Sequence, residues 1–229
     1  MGGMVTHVLN RSNGRMTLFS HSGDYDAFER TLEQAHARTP VRILSYCVMP
    51  NHWHLVLWPR GDGDLPEFMR WLTVTHTQRW HAAHGTTGTG HIYQGRYKSF
   101  PVQARRISQA ERERGTIDAG NSLLTVLRYV ERNALRAGLV RRAEDWRWCS
   151  LWRRMAGNPS QRALLADPSS GWPARWVEWV NQPQTRQEQE ALSLCIARGR
   201  PFGAEAWVKH VAAQFGLEST LRPRGRPRR

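Results

Sequence analysis

Met49-Pro50-Asn51-His52-Trp53-His54-Leu55-Val56-Leu57 is the stretch on which the reading of this chain turns. The run before it, Val41 to Val48, is rich in β-formers, Pro50-Asn51 interrupts it, and His52 to Trp58 resumes, so two adjacent strands joined by a very tight turn are expected. Side chains alternate across a strand, which sends His52 and His54 to one face and Trp53 to the other, into a core. Two imidazoles so placed can hold a divalent metal, although they fall short of the four ligands of a structural zinc site. Taken alone, the pair is more readily read as two polar positions on a half-exposed strand.

Upstream, Thr6 to Asn10 and Met16 to Phe19 read as a first strand region with an Asn13-Gly14 turn or bulge signal. Asp24 suits the N-cap of a helix running to about Arg38, with Phe28, Leu32 and Ala35 on one face and Pro40 as its stop. Downstream, Leu65, Phe68, Met69 and Leu72 recur at helical spacing in a helix from about Asp64 to His84, ended by the Gly85 to Gly90 tract. Its His76, His81 and His84 read as solvated or minor-contact residues. Ile92 to Val102 reads as a further strand. Strand, helix, strand, strand, helix, strand is the split βαβ order, an α+β ferredoxin-like antiparallel sheet backed by helices.

A charged connector, 103–120, follows. A third helix is expected from Asn121 or Ser122 to Gly138, with an apolar stripe of Leu123, Leu127, Val130, Ala134 and Ala137. The opposite face then carries Ser122, Thr125, Tyr129, Arg132, Asn133 and Arg136, with Asn133 one turn beyond Tyr129. Composition shifts toward Pro, Gln and Trp near Gly157. Residues 1–157 are therefore expected as the main domain, 158–221 as a small helical C-terminal extension, and 222–229 as a disordered Arg-rich tail.

The 229 residues carry 33 Lys and Arg against 19 Asp and Glu, a formal charge of +14, which points to a polyanionic partner, nucleic acid first. No apolar run has the length of a membrane span, and the N-terminus lacks a leader pattern, so a cytoplasmic protein without a membrane partner is expected. The three cysteines, Cys47, Cys149 and Cys195, are odd in number and widely spaced, which argues against a disulfide framework or a thiolate metal site.

If the third helix packs beside the histidine strand, the Asn133 amide oxygen can complete a mixed nitrogen and oxygen site for Mg²⁺ or Mn²⁺. Tyr129 can then act as a nucleophile on a phosphodiester, storing the bond energy in a phosphotyrosine.

Ser45-Tyr-Cys-Val-Met-Pro-Asn-His-Trp-His-Leu-Val-Leu57, Tyr93-Gln-Gly-Arg-Tyr-Lys98 and Arg128-Tyr-Val-Glu-Arg-Asn-Ala-Leu-Arg-Ala-Gly-Leu-Val140, in that order, resemble the single-tyrosine HUH transposases. Within these the chain is most similar to the REP-associated tyrosine transposases, whose C-terminus likewise carries an Arg-Gly-Arg-Pro stretch. The resemblance covers about residues 4–155 and more loosely the rest. It implies an HUH nuclease fold, His52 and His54 as metal ligands, Tyr129 as the nucleophile and Asn133 as the third ligand. It also implies cleavage and rejoining of single-stranded DNA beside a palindromic hairpin through a 5′-phosphotyrosine intermediate, by a monomer or homodimer. Many members read Asn-Pro where this chain has Asn133-Ala134.

Arg96, Lys98, Arg105, Arg106, Arg132 and Arg136 are the charges expected along the DNA path. Arg224 and Arg226 of the tail resemble the core of an AT-hook that also touches duplex. Two rival readings accompany this one. The first is a catalytically silent, sequence-specific DNA-binding protein on the same fold. The second is a rolling-circle replication initiator or relaxase.

Overall fold

The computed structural model describes residues 2–105 and 121–222. Arg106, Arg224 and Arg226 lie outside the described residues. Strand β1 (Thr6–Arg11), helix α1 (Ser22–Arg38), strands β2 (Arg42–Met49) and β3 (His52–Trp58), helix α2 (Asp64–His84) and strand β4 (Lys98–Pro101) follow one another. The strands lie in the order β2-β3-β1-β4, each neighbouring pair antiparallel. This is the expected ferredoxin-like sheet.

Alternation gives the sheet two different faces. Trp53, Leu55 and Leu57 join Phe28, Leu32, Phe68 and Leu72 of α1 and α2 in one buried cluster. Val56 and Phe100 join Leu123, Leu127 and Val130 in a second cluster, under helix α3 (Ser122–Glu131). His7, His52 and His54 share the parity of Val56 and Phe100, and so point toward α3. Asn121 caps α3 by accepting from the Leu124 N–H, and Gly138 takes the positive φ of 70° that ends the helical region after α4 (Asn133–Arg136).

Some elements differ from the sequence reading. Residues 16–19 are not a strand, because Leu18 and Phe19 donate their N–H groups to the Pro50 carbonyl and so close over the β2-β3 turn. Helix α1 starts at Ser22, with Asp24 in its first turn accepting from the Ser20 N–H. Residues 92–97 are largely irregular, since Tyr93 turns inward to bond both Trp53 and His76. His76 and His81, expected in solvent, are buried.

Beyond the sheet come α5 (Ser150–Ala156), α6 (Pro159–Ala163), α7 (Trp176–Asn181), α8 (Arg186–Arg198) and α9 (Glu205–Gln214). Trp176, Val180, Leu192 and Cys195 enter the same cluster as α3, so the C-terminal helices pack against α3 and take up Arg132 from the face read as polar. Polar side chains of α3 meet them. Arg128 donates to the carbonyls of Trp179, Gln182 and Pro183 at 2.8–2.9 Å, stacks on the Trp179 ring and pairs with Glu188. Arg132 donates to the carbonyls of Val180 and Asn181, at the end of α7 where unpaired carbonyls gather.

Glu131, with no exposure, accepts from Ser150 Oγ and Trp176 Nε1 at 2.7 Å and from Arg154. Removing one partner of a buried ion pair strands the other charge, at a cost of about 3–5 kcal/mol. Glu131→Ala is therefore expected to lower unfolding free energy by about that amount, read from urea titration. A loss below about 1 kcal/mol would show that this carboxylate does not hold the C-terminal helices in place.

Candidate active site

Three strand histidines and one tyrosine meet between the sheet and α3. His54, on central strand β3, is 2% exposed, and its Nδ1 lies 3.0 Å from His7 Nε2 on β1. The Tyr129 ring stands edge-on to His54 with centroids 5.6 Å apart, and to His7 at 6.4 Å. His52 and His54 rings lie 5.1 Å apart. His52 Nδ1 meets Asn51 Oδ1 at 2.7 Å, a contact that requires the imidazole to donate and leaves its Nε2 as a lone pair. His54 likewise has Nδ1 engaged, so Nε2 is the atom of each imidazole left to face the site.

Burial keeps these rings neutral. It pushes His7 down to about 3 and His52 down to about 4, with repulsion from Arg11 and Arg136 adding to the second. His54 lies well below its usual value, through burial first and then through His52, His7, Arg136 and Arg11. A neutral imidazole is the form that binds a metal, so the donor set suits a divalent cation at neutral pH.

Tyr129 is 6% exposed, not on an open face, because α3 is covered on both sides. Its hydroxyl lies 3.4 Å from Arg136 Nη2, and the same nitrogen donates to Asn133 Oδ1 at 3.1 Å. The Asn133 Nδ2 atom is buried without a hydrogen-bond partner among the described residues. Tyr129, Asn133 and Arg136 thus form one group at the α3-α4 junction. Tyr93 is unsuited to nucleophilic attack, being buried and held between Trp53 Nε1 and His76 Nδ1.

Of the expected basic residues, Arg96 and Lys98 are exposed and line a cavity of about 260 Å³ with Leu9, Arg11, Gln94 and Ile196 of α8. Lys98 pairs with Leu9, itself the partner of His54 across β1 and β3, so this cavity adjoins the histidines. Arg105 is exposed beyond β4. Arg132 is not directed at the site, its guanidinium being committed to the end of α7.

Sequence reasoning missed His7 and Arg11. Arg11 is the cross-strand partner of His52, and its buried Nε has no hydrogen-bond partner among the described residues. The available signal was parity: in an antiparallel pair, residues directly opposite share a face, which places alternate β1 positions beside His52 and His54.

Four imidazoles resist protonation in the fold, namely the buried His7, His54 and His76 and the half-buried His52, with His76 pushed down to about 3 by burial. Their unfolded value is 6.5, so the unfolded chain binds more protons below that pH. Their stabilisation is complete above pH 6.5 and is lost as pH falls through the window toward about 4 and then 3, by up to about 1.4 kcal/mol per pH unit for each. The urea midpoint should fall from about pH 7 to about pH 5, and a flat profile would contradict neutral burial.

Residues 2–112 match the family described as "Transposase IS200 like". Tyr129 and Asn133 lie beyond the matched stretch. Among solved structures, the chain is similar to a REP-associated tyrosine transposase bound to a REP hairpin, with 19% identity and a TM-score of 0.48 over 75% of this chain and 93% of that one. It is also similar to a protein from Deinococcus radiodurans R1 assigned as a transposase, with 17% identity and a TM-score of 0.37 over 48% of this chain and 84% of that one. None of the curated proteins compared with the chain matches it. Residues 2–112, just under half of the chain, carry the whole four-stranded sheet with His7, His52 and His54, and it is this part that is similar to the IS200-like transposases.

Proposed function

We propose that this chain is a metal-dependent single-stranded DNA endonuclease and strand transferase of the REP-associated kind, cutting beside palindromic hairpins through Tyr129. The observation that carries the reading is the edge-on contact of Tyr129 with His54, 5.6 Å between ring centroids, on the face of the sheet that also bears His52. The nearby basic cavity of Arg11, Arg96 and Lys98 supports a polyanionic substrate there.

His52 Nε2, His54 Nε2 and the Asn133 amide oxygen would hold Mg²⁺ or Mn²⁺, which supplies Lewis-acid polarisation of the scissile phosphate. His7 is a positioning residue: by accepting at Nε2 it fixes the proton of His54 on Nδ1, leaving the His54 Nε2 lone pair as donor. A half-turn of the Asn133 amide would bring its oxygen to the unpartnered position now held by Nδ2 and release Arg136 for a phosphate.

The Tyr129 oxygen attacks phosphorus, the bond to the 3′-oxygen breaks, and that oxygen leaves as a 3′-hydroxyl after taking up a proton. Arg136, 3.4 Å from the tyrosine hydroxyl, stabilises negative charge as the phenolic proton departs. The 5′-phosphotyrosine keeps the bond energy, and attack by another 3′-hydroxyl rejoins the strand without a nucleotide cofactor.

Incubation with labelled hairpin single strands and Mn²⁺ should yield a covalent protein-DNA adduct. Tyr129→Phe should abolish the adduct while leaving DNA affinity within about twofold, since only one oxygen is lost. His52→Ala should also abolish it, and His7→Ala should reduce it by about 10- to 100-fold, with recovery at raised Mn²⁺. Adduct formation at full yield by Tyr129→Phe would overturn the assignment.

A further inference from the structure

On the other layer of the molecule, where α1 and α2 cover the Trp53 face, Asp24 in the first turn of α1 meets two imidazoles. Its Oδ2 accepts from the Ser20 N–H at 2.9 Å and the Ser20 hydroxyl at 3.1 Å. Its Oδ1 lies 3.4 Å from His21 Nε2 and 3.3 Å from His84 Nε2, the latter on the last residue of α2. One ligand atom from each of the three residues lies within 4.8 Å of the others.

The protons make this arrangement informative. His84 Nδ1 lies 2.8 Å from the Trp80 carbonyl, an acceptor only, so that nitrogen carries the hydrogen. In the neutral ring Nε2 is then a lone pair, aimed at a carboxylate oxygen. Two lone pairs at that distance repel unless something positive sits between them. The His84 ring is also fixed in place, stacked on Trp80 with centroids 4.1 Å apart. An imidazole whose second nitrogen donates to a backbone carbonyl is the arrangement of a metal ligand.

The separations fit as well. Zinc bonds of about 2.0–2.1 Å to imidazole nitrogen and carboxylate oxygen place tetrahedral ligands about 3.3 Å apart. Both imidazoles already stand at that spacing from Asp24 Oδ1. His21, with a side chain 66% exposed, has open solvent beside it into which its ring can turn to complete the third edge. Gly23 leaves room for its ring, since a Cβ there would stand 3.1 Å from His21 Nδ1.

We propose that His21, Asp24 and His84 form a second metal site, for a transition-metal dication of the zinc class, joining the start of α1 to the end of α2 with water as fourth ligand. Two imidazoles and one carboxylate favour zinc, cobalt or nickel over the magnesium class. This site shares no residue with the His52 and His54 pair, so neither reading depends on the other.

The test is zinc titration of the full chain near neutral pH, by calorimetry and native mass spectrometry, with His52→Ala/His54→Ala removing the strand pair. That variant should still bind one zinc. Adding His21→Ala or His84→Ala should weaken this binding by at least about tenfold, since losing even a ligand's hydrogen-bond partner has that effect. Because His21 is exposed, His21→Ala in the otherwise unsubstituted chain covers the case in which the strand variant fails to fold. There the bound zinc should fall by one equivalent, and the visible bands of four-coordinate cobalt should weaken. Unchanged stoichiometry and affinity in His21→Ala would overturn the proposal and leave an ion pair between Asp24 and protonated His84.

Discussion

Glu131 is the point on which the architecture around helix α3 depends. A carboxylate with no solvent exposure is costly unless every lone pair is used. Here Ser45 and Ser150 donate to it from β2 and α5, Arg154 pairs with it, and Trp176 reaches it from α7. One side chain thus ties the sheet, α3 and the C-terminal helices together, two residues after Tyr129. Arg128 and Arg132 extend the same contact along the helix, so the C-terminal helices help to hold α3 against the sheet. The helix that carries Tyr129 is thus fixed by packing and not by its own sequence, which is the rigidity the proposed in-line attack requires.

The sheet supplies the other half of the site. Its α1-α2 face is apolar, whereas the face under α3 buries His7 and His54 beside Val56 and Phe100, with His52 half-buried at the strand end. Burial lowers the proton affinity of each ring, and the hydrogen bonds at their Nδ1 atoms orient His52 and His54. Stability and readiness to bind a cation therefore have one cause, the exclusion of water from this face.

Much of this was legible in the sequence. The period-two runs around Pro50 and the helical spacing of Leu65, Phe68, Met69 and Leu72 specify the sheet order. The three ordered motifs single out His52, His54, Tyr129 and Asn133. Tyr129 was expected on an open face because α3 shows one clean apolar stripe. Its polar face is instead satisfied by carbonyls some fifty residues later in the chain, which periodicity cannot register. Met69, Leu72 and His76 follow the three-four spacing, a signal that His76 is a buried position. His7 belongs to no motif, and only the pairing of β1 with β3 brings it to His54.

The central claim is that His52, His54 and Tyr129 serve one site. Anomalous diffraction from crystals of the full chain grown with Mn²⁺ tests it most directly. The account predicts a peak bonded to His52 Nε2 and His54 Nε2, on the α3 side of the sheet beside the Tyr129 hydroxyl. Manganese bound elsewhere, with both imidazoles free of it, would contradict the account.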